Sequence, residues 1–175
     1  HAVLHPQDPE RQYAGKYVDD LRGRIEEKTE KEAGEKAALI IMEEMIKPTL
    51  KSVGINFHQF FSEASLHQTG VYKKALELLK LKGLTYEADG ATWLSTTRFG
   101  DSEDRVLIRS DGRESYFASD IAYHSYKLQR AYHRLINVMG ADHFQYSKQI
   151  SMVVEGVLRE QFMWGGKLDW VITQI

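Results

Sequence analysis

The stretch Leu135-Ile136-Asn137-Val138-Met139-Gly140-Ala141-Asp142-His143 decides the fold of this chain. Its first five residues are mostly apolar and predict a buried strand, and the glycine predicts the place where that strand ends. Apolar residues at helical spacing follow over residues 147–161, and a further strand is predicted over residues 170–175. The stretch is therefore the first strand of a strand, helix, strand unit.

A helix and one more strand are predicted on the N-terminal side of this unit. Ser119 can accept hydrogen bonds from the free amides of a helix whose apolar face carries Ile121, Leu128 and Tyr132. Residues 105–109 are predicted to form the strand before it. The alternation predicts an α/β fold with a parallel sheet and right-handed crossovers. Ligands of such open sheets bind outside the carboxyl ends of the strands, which directs attention to residues 140–143.

The first third of the chain is predicted to be helical. Apolar residues recur every three or four positions over residues 9–25 and 35–50, which indicates two amphipathic helices. Pro48 is predicted to bend or end the second helix. We expect a helical segment over residues 1–53 and an α/β portion over residues 54–175. The second helix is predicted to bury a stripe formed by Ala38, Met42, Met45 and Leu50.

Between these regions, short segments predict a small antiparallel hairpin region. Residues 55–61 alternate enough to predict a short strand, and a loop closed by Gly70 is expected to follow. A helix is predicted over residues 71–82, with Gly83 as its left-handed cap. Further strands are predicted over residues 84–87 and 91–95, with hairpin-type turns at Asp89-Gly90 and Asp111-Gly112.

The composition limits the classes of protein to which the chain can belong. It has 175 residues, a net charge of −2 and no cysteine, so disulfides, thiolate zinc sites and cysteine nucleophiles are excluded. The apolar stretches are far shorter than the roughly 20 residues that a membrane-spanning helix needs. No Gly-x-Ser-x-Gly, Gly-x-x-x-x-Gly-Lys or Gly-x-Gly-x-x-Gly motif occurs. We expect one soluble domain without a membrane partner.

Tyr116 and Asp120 are the first candidate binding residues. If the segment between them is helical, they share a face and offer one neutral and one charged acceptor, which suits a planar cation such as a guanidinium. The same spacing also fits an ordinary first-turn acid beside a half-buried strand aromatic. His143 can donate to a ligand or belong to an ordinary loop, and Gly140 allows close backbone approach or a positive φ.

A metal site is a second interpretation of the same region. Asp120 and His124 are one helical turn apart, and both residue types are acceptable zinc or manganese ligands together with Asp142 and His143. None of the four has the tight paired spacing of specific zinc motifs, and His124 is predicted to point along the solvent face. We therefore expect no metal, and a metal-dependent hydrolase stays the less favoured alternative.

Several blocks in order resemble the arginyl-tRNA synthetases, a class I synthetase family. The resemblance covers most of the chain and lies in Tyr13-Ala14-Gly15-Lys16-Tyr17, Ser62-Glu63-Ala64-Ser65-Leu66, Asp89-Gly90-Ala91-Thr92-Trp93-Leu94, Phe99-Gly100-Asp101, Asp104-Arg105-Val106-Leu107, Asp111-Gly112, residues 116–124 and residues 140–143. It implies a Rossmann-like catalytic domain in which Tyr116 and Asp120 contact L-arginine. It also implies that His143 lies against the amino acid, where many relatives hold a glutamine, with Gly140 and Asp142 beside the adenylate.

The resemblance also implies an activity and its partners. Members of the family activate L-arginine with ATP and Mg²⁺ and transfer it to tRNA(Arg), as cytoplasmic enzymes, and we expect a monomer. No His-Ile-Gly-His-like or Lys-Met-Ser-Lys-like motif occurs here, and the chain opens on His1. We therefore expect a piece of a longer enzyme that holds no catalytic residue, binds no cofactor tightly and is inactive alone. A non-catalytic paralogue that senses arginine or binds a partner stays the alternative.

Overall fold

The computed structural model describes residues 2–5, 7–8 and 15–174. The chain divides into two compact units, His1–Phe60 and Phe61–Ile175, which are described separately. Part of the helix predicted over residues 9–25, part of the block Tyr13-Ala14-Gly15-Lys16-Tyr17, and Ile175 at the end of the last predicted strand lie outside the described residues. Within the described part of the chain, no helix is long and apolar enough to cross a membrane.

The first unit is helical, as predicted. Helix α1 spans Lys16–Arg22, α2 spans Glu30–Ile40, a π-helical turn spans Ile41–Ile46, and α3 spans Lys47–Ser52. Helix α2 begins five residues earlier than expected because the Thr29 side chain caps its first turn. The Thr29 hydroxyl accepts from the Glu32 amide at 3.3 Å and donates to its carboxylate at 2.7 Å.

Two details of the first unit differ from the sequence prediction. Ala37 and Ile40 are buried, whereas Ala38 and Met45 are exposed, because the same spacing of four and three fits two faces that lie one residue apart. Pro48 does not end the helix, since α3 continues to Ser52. The irregularity lies just before it, in the π-helical turn where the Lys47 amide donates to the Met42 carbonyl.

The segment after α3 forms no strand. Residues 55–62 are irregular, and residues 55–60 are exposed, so the strand predicted over 55–61 was wrong: the alternating pattern is there, but among the described residues no strand pairs with it. The loop expected before Gly70 instead contains α4, Ala64–Gln68. Helix α5 spans Val71–Leu81, and Gly83 follows it at φ 65°, which confirms the predicted cap.

A three-stranded antiparallel sheet follows, in the order β1-β2-β3. Its strands are Thr85–Ala88, Ala91–Leu94 and Arg105–Ile108. Asp89 and Gly90 have φ values of 52° and 73° and make the predicted hairpin turn. Strand β3 was expected to begin the parallel alternation, and this expectation was wrong because its hydrogen bonds go to β2 in an antiparallel register.

Helix α6, Tyr116–Gln129, begins three residues before the predicted cap, Ser119. Ser115 caps it instead of Ser119, accepting from the Ala118 amide at 3.2 Å and donating to the Val106 carbonyl at 2.7 Å. The Ser115 hydroxyl therefore fixes the start of α6 against β3, while Ser119 lies buried inside the helix. Ile121 and Leu128 are buried as predicted, but the prediction was wrong for Tyr132, which lies beyond the end of α6 and is 52% exposed.

Strands β4, Arg134–Gly140, and β5, Lys167–Thr173, pair in parallel, which confirms the α/β class. Helix α7, Phe144–Val153, a π-helical turn, Val154–Leu158, and α8, Arg159–Gln161, connect them. Strand β4 is only half-buried, contrary to the prediction, because Ile136 and Val138 on one face are 53% and 65% exposed. The core of this unit lies where α5, α6 and α7 pack on the antiparallel sheet and on the inner face of β4 and β5.

Candidate functional site

Helices α6 and α7 bring Asp120 and Tyr146 into direct contact. The Tyr146 hydroxyl donates to Oδ2 of Asp120 at 2.5 Å. Tyr146 lies in the first turn of α7, directly after the turn that ends β4, so the carboxyl end of the strand positions this contact. Oδ1 of Asp120 receives no hydrogen bond from the side chains and backbone that the structure describes, which leaves one carboxylate oxygen available.

Burial controls the charge of Asp120. Desolvation raises the pKa of its carboxyl, and nearby Glu63 adds to that rise. The Tyr146 hydrogen bond and the positive charges of Lys127 and His143 lower the pKa and oppose the rise. Asp120 is therefore an acid whose ionised form is costly in the free protein, and a bound cation would relieve that cost.

Lys127 lies two turns beyond Asp120 on the same face of α6 but does not pair with it. Its Nζ donates to Oδ1 of Asn137 at 2.6 Å and sits 4.3 Å from the centre of the Tyr123 ring. Burial lowers the pKa of Lys127 to about 8, although the charge of Asp120 raises it. Lys127 therefore influences Asp120 through space while its own contacts go elsewhere.

His124 faces the interior and not the solvent, which corrects the sequence prediction. It is 3% exposed, and its Nδ1 lies 2.8 Å from the Asp120 carbonyl, so Nδ1 must carry the proton because a carbonyl only accepts. Burial, and then Lys127, lower the pKa of His124 to about 4, so the ring is neutral. Its Nε2 and the neighbouring Nδ2 of Asn137 lack hydrogen-bond partners within the described residues.

The metal interpretation finds no support in this arrangement. Among residues 2–5, 7–8 and 15–174, no group of three or more histidine, cysteine, aspartate or glutamate side chains could hold a metal ion. Asp120, His124, Asp142 and His143 are thus not brought together as a ligand set. The buried side of His124 faces Asn137 and Trp170, whose ring centre lies 5.9 Å from that of the histidine.

Tyr116 is the first residue of α6 and is 79% exposed. It lies one helical turn before Asp120, which places both residues on one face as predicted from their spacing. No hydrogen bond joins the two side chains in the described part of the chain. Tyr116 is therefore available to a ligand that approaches Asp120 from the solvent.

Gly140, Asp142 and His143 form the turn at the end of β4. Gly140 has φ −68°, so a positive φ does not explain it; a Cβ added there would come within 2.6 Å of the Asp142 carboxylate. The side chains of Asp142 and His143 are 80% and 50% exposed, and Nε2 of His143 lies 3.4 Å from Oδ2 of Asp142. The His143 ring also meets the Tyr146 ring edge-on, at 6.2 Å between centres, which places His143 near Asp120.

The sequence prediction missed four members of this cluster: Glu63, Lys127, Asn137 and Tyr146. Tyr146 fell just before the helix predicted over residues 147–161, so its side chain had no assigned direction. The signal that could have found Lys127 is its separation of seven residues from Asp120, which is two turns along one helical face. Glu63 and Asn137 come from other segments, and only the tertiary structure brings them close.

Three comparisons relate this chain to known proteins. The model of the family tRNA synthetases class I (R), catalytic domain, matches residues 11–159. The chain is 38% identical to an arginine–tRNA ligase of Elusimicrobium minutum over 152 residues, covering 85% of this chain and 29% of that protein. It is 44% identical to the arginine–tRNA ligase of Bacillus subtilis over 132 residues, covering 75% of this chain and 23% of that protein.

A solved structure is similar over nearly the whole chain. A protein from Campylobacter jejuni, described as an arginyl-tRNA synthetase, superimposes with a TM-score of 0.79 at 29% identity, covering 99% of this chain and 40% of that one. The chain thus spans between 23% and 29% of the length of these two curated relatives.

Proposed function

Because this chain belongs to the family of class I arginyl-tRNA synthetase catalytic domains, we propose that it forms the arginine-selecting part of an arginine–tRNA ligase. In such an enzyme, the carboxylate of L-arginine attacks the α-phosphate of ATP and pyrophosphate leaves. The arginyl group then moves from the adenylate to a hydroxyl of the terminal ribose of tRNA(Arg), and AMP leaves. The role of this chain is to select and hold the amino acid.

The observation that carries the proposal is the half-buried Asp120 carboxylate with one free oxygen. A guanidinium donates hydrogen bonds in a planar fork that matches a carboxylate. The pKa of Asp120 is raised because its charge is buried. A cation bound at Oδ1 would pair that charge and offset the cost of its burial. The pairing therefore stabilises both the ligand and the acid.

The remaining site residues have proposed positions around this ion pair. Tyr116, exposed on the same face of α6, is placed to contact arginine beside Asp120. His143 lies beside Tyr146 and is proposed to contact the amino acid. Gly140 and Asp142 lie at the carboxyl end of β4, where ligands of parallel sheets bind, and are proposed to adjoin the adenylate.

The chemistry of activation is proposed to involve groups outside this set. We assign no catalytic residue to the chain, and ATP is proposed to bring Mg²⁺ with it, since the described residues hold no cluster that could bind a metal ion. Binding of tRNA(Arg) is part of the same proposal. The monomeric state and the cytoplasmic location stay predictions.

The first test compares two ligands that differ in charge but hardly in shape. L-Arginine and L-citrulline are titrated into the chain and followed by ¹H–¹⁵N NMR. We expect arginine to bind at least about tenfold more tightly, because a hydrogen bond between charged groups contributes roughly 1.5–3 kcal/mol. Asp120→Asn is expected to weaken arginine binding by about tenfold or more and to remove the preference over citrulline.

Asp104→Asn is the matched control, because Asp104 also accepts from a tyrosine hydroxyl but lies directly before strand β3 of the antiparallel sheet. It should leave both ligand affinities unchanged. Equal binding of arginine and citrulline to the unmodified chain, or an unchanged arginine Kd in Asp120→Asn, would remove Asp120 from the arginine site.

A further inference from the structure

We infer that Tyr146 is a positioning residue for arginine recognition, because its hydroxyl holds one oxygen of Asp120 and leaves the other oxygen for the cationic end of arginine. The inference rests on the proposed function and deepens it. Tyr146 itself need not touch arginine. It acts through the orientation and the charge of Asp120.

The first step of the argument is geometric. An aspartate side chain at a helix surface can rotate, and a rotated carboxylate would present either oxygen to a ligand. The 2.5 Å hydrogen bond from Tyr146 fixes Oδ2 toward α7. Because the structure describes no second donor to this carboxylate, Oδ1 is the oxygen that remains for a ligand.

The second step concerns charge. A lysine or arginine in the place of Tyr146 would orient Asp120 equally well, but it would cancel the negative charge that attracts a guanidinium. A phenol is neutral, and burial together with the bond to Asp120 raises the pKa of Tyr146 far above its ordinary value. Tyr146 therefore stays a protonated donor. The Lys127 ammonium, which lies near Asp120, instead donates to Asn137 and lies over the Tyr123 ring.

The third step concerns the ring of Tyr146, which has its own packing. It meets the Phe117 ring edge-on at 6.1 Å and the His143 ring edge-on at 6.2 Å between centres. These contacts are made by the aromatic ring and not by the hydroxyl. Tyr146→Phe should therefore keep the fold and the packing while removing only the hydrogen bond.

The fourth step gives the expected dependence on pH. Four titratable groups from three segments influence Asp120: Glu63 before α4, Lys127 on α6, and His143 with Tyr146 at the start of α7. The hydrogen bond from Tyr146 is the largest of the effects that lower the pKa of Asp120. Without this hydrogen bond, desolvation is less opposed and the pKa of Asp120 rises further. Arginine binding needs the ionised acid, so its loss on acidification should begin at a higher pH.

The experiment measures two quantities in the unmodified chain and in Tyr146→Phe. The pKa of Asp120 is followed through its side-chain carboxyl ¹³C resonance, and the arginine Kd is measured between about pH 4 and pH 8. We expect the variant to show a higher pKa for Asp120 and an acid limb of arginine binding displaced in the same direction. At neutral pH we expect arginine to bind about threefold to tenfold more weakly, because an orienting contact is lost.

Tyr86→Phe serves as the matched control, because it removes the corresponding hydroxyl from Asp104. It should change neither the pKa of Asp120 nor the arginine Kd. The inference is overturned if the unmodified chain prefers arginine to citrulline and Tyr146→Phe retains the same Kd and acid limb. Absence of that preference in the unmodified chain would instead refute the proposed function, so the two failures are distinct.

Discussion

Two tyrosine–aspartate pairs occur in the second unit, and their environments give them opposite properties. In the antiparallel sheet, the Tyr86 hydroxyl donates to Oδ2 of Asp104 at 2.9 Å. Between α7 and α6, the Tyr146 hydroxyl donates to Oδ2 of Asp120 at 2.5 Å. The chemical groups are identical, but the pKa of Asp104 is lowered whereas that of Asp120 is raised.

The number of donors and the degree of burial explain this difference. Oδ1 of Asp104 also accepts from the Thr97 amide at 3.0 Å and from the Thr97 hydroxyl at 2.7 Å, and these bonds are the main reason for its lowered pKa. Asp120 has a single donor and is more buried, so desolvation dominates. A carboxylate that accepts hydrogen bonds at both oxygens stabilises the folded chain. A buried carboxylate with one free oxygen can accept a hydrogen bond from a ligand.

The largest expected effect is the loss of folding stability at acidic pH that buried His124 causes. Because the pKa of folded His124 is about 4 and its ordinary value is 6.5, the unfolded chain takes up a proton first. The stability contributed by neutral His124 is fully present above about pH 6.5 and is lost as the pH falls toward 4. We expect a loss on the order of 3 kcal/mol over this window.

Urea unfolding followed by tryptophan fluorescence can measure this loss, since Trp93, Trp164 and Trp170 all lie in the second unit. His124→Gln should flatten the dependence between about pH 6.5 and 4, and His58→Gln, on an exposed residue, should not. Asp101 and Asp104, which lie in the loop before β3 and whose pKa values are lowered, should lose their contribution only below the ordinary value of 3.8. An unchanged slope in His124→Gln would contradict the assignment.

The next effect concerns the stability cost of the binding acid. Because the pKa of Asp120 is raised, the folded chain holds that proton more tightly than the unfolded chain does, and stability is lost as the pH rises through the raised pKa. Asn is uncharged and can still accept from Tyr146. Asp120→Asn is therefore expected to increase the free energy of unfolding by about 1 kcal/mol at neutral pH, although the proposed function predicts weaker arginine binding.

Urea titrations at pH 7 and at pH 4 test this expectation, and the gain should shrink at the lower pH. A variant that is less stable than the unmodified chain at neutral pH would assign Asp120 to the structure and not to a ligand.

The sequence predicted the fold where one local pattern decides the outcome. The helix before Gly83 and the Asp89-Gly90 hairpin were confirmed, because a positive φ is a local requirement. The pattern failed where tertiary pairing decides: residues 55–61 alternate like a strand but have no partner in the described structure, and β3 pairs with β2 in an antiparallel register. Ser119 was predicted to cap α6, but Ser115 caps it, and the contact of Ser115 with Val106 belongs to the tertiary structure.

The candidate site shows the same limit. The spacing of Tyr116 and Asp120 placed both on one face of a helix, and Gly140, which ends β4, indicated the turn that carries His143. The properties of Asp120, however, depend on Tyr146, Lys127 and Glu63, which come from separate segments or turns. No local pattern could show that Asp120 has one donor whereas Asp104 has three.

The smallest expected effect concerns the stability that Asp104, the other aspartate of the comparison, contributes. Asp104 joins the turn that contains Thr97 to strand β1 through Tyr86, so Asp104→Asn keeps the acceptor but loses the charge that strengthens all three bonds. Because this carboxylate is only partly buried, we expect the melting midpoint to fall by only roughly 1–3 °C at neutral pH. Differential scanning calorimetry measures the shift, and the arginine Kd should stay constant. A weaker arginine Kd in Asp104→Asn would show that the two pairs are coupled, and the contrast between a structural and a ligand-binding carboxylate would then have to be abandoned.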